Sequence, residues 1–236
     1  MANMDKFITW PNREDEEQIK LRFYQLTGIP GIIGCVDGSH VEIRAPLETE
    51  YAYVNRKGWH SINVGLACDF FKIFIWVSAK YPGRSHDSRV FRESAFCRDF
   101  VSGRRRGVLL GDSAYQAETF LLKPILSART EPERRYTNAL CRGRVIIEDA
   151  IGALKSQFQC LYSALRYDVP KSSKLILFAV AMRNVANIHH DPIFDEEIPN
   201  QREQPDEEED PEPEAVEEHS SAISFRNHII ANYFSR

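Results

Sequence analysis

The chain has 236 residues, 43% of them hydrophobic and 27% charged, enough for one good-sized domain or two small ones with a well-buried core. No apolar run approaches the ~20 residues needed to cross a bilayer, so no membrane partner is expected. The opening MANMDKFITWPNREDEE turns acidic at once, without the apolar stretch of a secretory signal. Five scattered cysteines (Cys35, Cys68, Cys97, Cys141 and Cys160) include no C-x-x-C pair. A disulfide framework and a structural zinc site are therefore set aside, and a reducing interior is expected. The net charge of −4 hides an uneven split, because residues 195–218 hold 13 acidic side chains and one arginine while the remainder is net positive. That Pro- and Glu-rich segment predicts a disordered linker. The basic body could attract a polyanion.

Taken in order, Ile19, Phe23 and Leu26 lie at helical spacing after the Pro11-Asn12 break and predict a helix over 12–26. Residues 32–37 read as a buried strand, Gly38-Ser39 as a turn and 41–43 as a half-exposed strand. Residues 61–68 and 72–79 predict two strands joined by a tight turn at 69–71. A helix over 88–100 would bury Val90, Phe91 and Phe96 on one side. Residues 107–112 predict a short apolar strand ending in an acid, and 117–126 a helix. The clearest periodicity is Ile147, Ile151, Leu154, Phe158 and Leu161, one stripe on a helix over 145–161. Two further apolar helices are predicted over 175–188 and 223–234. Strands first and helices later point to a layered α/β or α+β domain.

Two predicted strands end in an aspartate followed by small residues, Asp37-Gly38-Ser39 and Asp112-Ser113. An acid there is costly to desolvate unless something pairs with it, and ligand sites favour strand ends. Glu148 sits on the strongest helix at the edge of its buried stripe, with Gly152 at i+4 and Lys155 at i+7 on its side. Three such carboxylates could converge on divalent cations, and hard oxygen donors suit Mg²⁺ or Mn²⁺. Taken singly, each has an ordinary reading as a turn residue, a helix cap or a solvated side chain.

The segments GIPGIIGCVDGSHVEI (28–43), YVNRKGWHSINV (53–64), PGRSHDSRVF (82–91), LLGDSAY (109–115), RVIIEDAIGALKSQFQCL (144–161) and AVAMRNVANI (179–188) resemble the nuclease domain of PIF/Harbinger-type DDE transposases and the host proteins descended from them. The resemblance implies an α/β fold, an RNase H-like mixed sheet flanked by helices. It also implies a DDE triad of Asp37, Asp112 and Glu148 holding Mg²⁺ or Mn²⁺ and acting as a DNA endonuclease, with strand transfer as an added capacity. Asp87 matches a recurrent position and is expected either as a further metal ligand or an acid that supports the ligands from behind, or as the cap of the next helix. The helix motif departs from the family where Glu148 is followed by Asp149 and Ala150 by Ile151.

The expected organisation is a helical lead-in over 1–27, too short for a complete helix-turn-helix, a nuclease domain over 28–194, the acidic linker over 195–218 and an amphipathic helix over 219–236. With no end-recognition module in view, the partners expected are double-stranded DNA and a Myb-like DNA-binding adaptor, in the nucleus and secondarily the cytoplasm. Arg56 and Lys57, beside Trp59 and His60, form a candidate phosphate clamp. Lys155 and Arg144 are candidate DNA contacts on the Glu148 helix. His40 and His86 could touch a phosphate or serve as structural histidines, and Arg104-Arg105-Arg106 could touch DNA or be a solvated loop. The alternative reading is a catalytically silent descendant that binds DNA or protein.

Overall fold

Asn12 starts the first helix, α1 (Arg13–Thr27), its side chain accepting from the backbone N–H groups of Glu14 and Asp15. Gly28, at φ 72°, ends it. The computed structural model describes residues 6–189 and 220–235. Behind α1, strand β1 (Ile32–Glu42) becomes the centre of a five-stranded sheet of order β3-β2-β1-β4-β5. It runs antiparallel to β2 (Ser61–Cys68), which pairs antiparallel with β3 (Phe74–Pro82). On its other side it runs parallel to β4 (Val108–Leu110), itself parallel to β5 (Leu121–Leu122). This is the α/β, RNase H-like mixed sheet flanked by helices that was expected. A single-turn helix, α2 (Glu50–Tyr53), lies between β1 and β2.

Three local expectations are corrected. The turn expected at Gly38-Ser39 does not form, because β2 pairs residue for residue with Cys35–Glu42 and carries the ladder straight through, Gly38 facing Gly65. The single helix expected over 88–100 is two, α3 (Asp87–Arg92) and α4 (Ala95–Val101). Ser94 divides them, its hydroxyl donating to the Phe91 carbonyl and accepting from the Cys97 N–H. The helix expected over 117–126 is absent. Leu121 and Leu122 instead pair with Leu109 and Leu110, where both are buried, and Pro124 follows with no N–H to continue either structure.

The long helix α5 (Glu131–Gln157) starts well ahead of the predicted Val145, at a capping box in which Thr130 and Glu133 satisfy each other's backbone N–H groups. Its stripe is buried as expected at Ile147 and Leu154, while Leu161 reaches the core from a 3-10 turn (Gln159–Tyr162). The helix lies close on the sheet. The Cys35 thiol donates to the Gly143 carbonyl at 3.2 Å, and a Cβ at Gly143 would stand 2.5 Å from Leu110 Cδ1. A larger residue there would have to displace the Leu110 methyl, so the glycine eases that approach.

Helix α6 (Val169–Ile188) packs on β3. The buried Asn184 amide accepts from the Phe74 N–H and donates to its carbonyl, both at 2.8 Å. Helix α7 (Ser220–Tyr233) docks on α1 and α5 through buried Ile229 and edge-on ring pairs of Tyr233 with Tyr24 and Phe234 with Tyr136. The acidic segment 195–218 lies outside the described residues.

Candidate active site

Close packing of α5 on the sheet sets three predicted acids toward one another. Asp37 lies in mid-strand on β1 rather than at a strand end, since the ladder continues past it. Asp112 lies just beyond β4, its Oδ1 accepting from the Ala114 N–H at 3.0 Å to shape the turn. Glu148 projects from the middle of α5, half in solvent at 52% side-chain exposure, against 17% for Asp37. Arg144, one turn before Glu148, joins Asp37 and Glu148 directly and feels Asp112 as a nearby charge. Its Nη2 donates to Asp37 Oδ2 at 3.2 Å and stands 3.5 Å from Glu148 Oε1. The two carboxylates thus face each other across a single nitrogen.

Asp87 joins the group from the other side. It is the first residue of α3, not its cap; His86 holds that position. Its carboxylate lies over Gly38, where any Cβ would collide with it, and Oδ1 accepts from Asn63 Nδ2 at 2.6 Å. Asn63 was not foreseen as a site residue. The visible signal was an amide side chain within the mostly apolar β2.

The electrostatics follow from burial. Desolvation pushes the Asp37 carboxyl up to about 7, with Arg144 pulling it down and Asp112 and Asp87 adding to the rise. Burial likewise raises Asp87, which the Asn63 hydrogen bond partly offsets. For Arg144, burial alone would lower the pKa, but Asp37, Asp112 and Glu148 together outweigh it and hold the guanidinium more firmly charged. A metal-free prediction follows. Unfolded, Asp37 loses its proton near its ordinary value of 3.8; folded, it keeps that proton to about 7. Between those values the native state binds the extra proton, so stability falls as pH rises through the window, by at most ~4 kcal/mol. Melting in EDTA from pH 4.5 to 7.5 should show a steeper decline for the wild type than for Asp37→Asn. Parallel curves would show that Asp37 is not a strained buried acid.

Among the described residues, no three acidic, histidine or cysteine side chains are gathered as a ready metal site. The donors nonetheless suit a hard divalent cation. They are carboxylates, joined by the buried Asn63 Oδ1, which has no hydrogen-bond partner. The positive charge that Arg144 supplies among them is what such a cation would also supply.

The predicted DNA contacts separate. Arg144 stands among the acids. Arg56 lies beside them, its Nη2 donating to His86 Nδ1 at 2.8 Å. Lys57 belongs to a turn held by Asn55 Oδ1, which accepts from the N–H groups of Lys57 and Trp59. Lys155 lies farther along α5, with Nζ 5.7 Å from the centre of the Tyr162 ring. His40 pairs with Ser61 Oγ at 2.9 Å and packs edge-on against Trp59, which is the structural reading. Arg104 and Arg105 both pair with Asp99, and Arg105 also lies over the rings of Trp10 and Phe96, while Arg104 and Arg106 stay exposed. Asp149, which departs from the family motif, turns away to Lys72 at 3.1 Å.

Residues 36–184, a span that holds all four acids, match the family described as DDE superfamily endonuclease. The chain belongs to that family. Rat "Putative nuclease HARBI1" is 35% identical over 235 residues, covering 98% of this chain and 67% of the relative. The human protein of the same name is 34% identical with the same coverage. The Arabidopsis "Protein ALP1-like" is 22% identical over 212 residues, covering 80% of this chain and 51% of the relative. No solved structure matches. The DDE family assignment and the Harbinger-type likeness agree with what the sequence motifs implied.

Proposed function

We propose that this DDE-family chain is a metal-dependent DNA endonuclease of transposase descent, hydrolysing phosphodiester bonds at Asp37, Asp112 and Glu148 and capable of strand transfer. The observation that carries this reading is that Arg144 bridges Asp37 of the central strand and Glu148 of the long helix, with Asp112 at the strand-end turn near enough to act on the same guanidinium electrostatically. Held by Asp37, Asp112 and Glu148, with Asp87 as a further ligand, Mg²⁺ or Mn²⁺ would activate a water or 3′-hydroxyl and stabilise the leaving oxygen. The protein's own groups do the rest. Asn63 fixes Asp87, the Ala114 N–H fixes Asp112 and Arg144 keeps the acids from repelling an incoming phosphate. Arg56 and Lys57 gather the DNA backbone beside Trp59.

On this reading the substrate is double-stranded DNA, a Myb-like adaptor supplies end recognition and the site of action is the nucleus. The test is nicking of supercoiled plasmid by the full chain. Cleavage should appear with Mg²⁺ or Mn²⁺ and vanish in EDTA; no cleavage with either metal counts against it. Arg144 among the acids also favours the second reading, a silent descendant that binds without cutting. Calorimetric titration with Mn²⁺ separates the two, since a silent descendant has no need to take up the ion.

A further inference from the structure

Helix α5 contains two interior glycines, and the fold accounts for only one of them. Gly143 lets the helix close on the sheet, as its contact with Leu110 requires. At Gly152 a Cβ would meet nothing within 4 Å. Glycine inside a helix is disfavoured relative to alanine, because it gives up more backbone freedom on folding. At Gly152 no packing gain offsets that loss. Its neighbours on the same face are informative. Glu148 lies one turn before it, and Lys155, with Nζ over the Tyr162 ring, lies one turn after it. The face thus runs from acid to bare backbone to base, over a rise of roughly 10 Å from Glu148 to Lys155.

We propose that Gly152 is where the substrate's DNA strand crosses α5. The bare backbone lets the sugar-phosphate chain approach the helix, with one phosphate directed to the Glu148 side and a neighbouring one to Lys155. Gly152 is a positioning residue in this scheme. It contributes no group to the chemistry but clears the path for the polyanion. The inference rests on the DNA-cleaving reading above and adds the route of the strand.

The experiment measures binding and stability separately. A fluorescent DNA duplex is titrated by anisotropy with the full chain in Ca²⁺, using wild type, Gly152→Ala and Gly152→Leu, and each protein is melted without DNA. Gly152→Ala should melt about 2–4 °C higher, because it removes a helix-interior glycine. It should nonetheless bind DNA more weakly. Gly152→Leu should weaken binding about tenfold or more, the scale of one lost charge-assisted phosphate contact. A merely structural glycine would not give higher stability together with lower affinity. Wild-type affinity in Gly152→Leu overturns the strand route alone. A wild-type chain that fails to bind duplex DNA overturns the strand route and the DNA-cleaving reading together.

Discussion

Asp112→Asn should abolish plasmid cleavage while leaving the fold intact. The carboxylate has two separable tasks. One oxygen accepts the Ala114 N–H that shapes the turn after β4, and an asparagine oxygen performs that task equally well. The other task is to bring negative charge to the cluster around Arg144, which an amide cannot do. The expected result is a melting temperature close to wild type and a cleavage rate lowered about 1,000-fold, equivalent to ~4 kcal/mol of transition-state stabilisation. Rates are compared on supercoiled plasmid in Mg²⁺ and in Mn²⁺. An Asp112→Asn protein that cuts as fast as wild type removes Asp112 from the reaction.

Arg144→Ala should act in the opposite sense, on stability more than on DNA affinity. The guanidinium is only 16% exposed, touches Asp37 and Glu148 and is held charged by three acids. Removing one partner of a buried ion pair costs up to about 3–5 kcal/mol where the other charge stays behind uncompensated, and Asp37, its carboxyl already pushed up to about 7, sheds part of that cost by taking up a proton. Here Asp37, Asp112 and Glu148 all lose the same counter-charge. The loss should be largest in EDTA and shrink in Mn²⁺, since an ion bound by the folded state stabilises it by mass action. Thermal melts of both proteins in both buffers provide the check. If Arg144 acts chiefly as the DNA contact that the sequence offers as a candidate, the EDTA melts will coincide and duplex affinity will drop.

Arg144 marks the boundary of what the sequence makes legible. The central strand, the antiparallel β2 and the helix stripe through Ile147 and Leu154 were all legible, because burial imposes simple periods on apolar residues. The motifs singled out Asp37, Asp112 and Glu148 as candidates. Partners across the fold were not. The four-residue step from Arg144 to Glu148 is visible in the sequence and predicts that the two are neighbours. Their common link to Asp37, 107 residues away, exists only once Gly143 lets α5 settle on the sheet. Asn63 was missed for the same reason, since its contact with Asp87 joins β2 to the start of α3. The turn at Gly38-Ser39 failed because local turn chemistry was outweighed by eight residues of β2 available for pairing. The helix over 117–126 failed because Leu121 and Leu122 were worth more buried against β4 than on a helix.

The sheet's two borders carry a consequence for how copies of this protein meet. On one side β5 is only two residues long, so a neighbouring chain could form few backbone hydrogen bonds along it. On the other side β3 places an exposed lysine, Lys80, near its end and terminates at Pro82, which has no N–H to offer. A charged side chain, a proline and a very short border strand all discourage strand-to-strand growth between molecules. Cross-β stacking of the native protein is thereby disfavoured at both margins of the sheet, which leaves helix and loop surfaces as the favoured places for folded copies to meet.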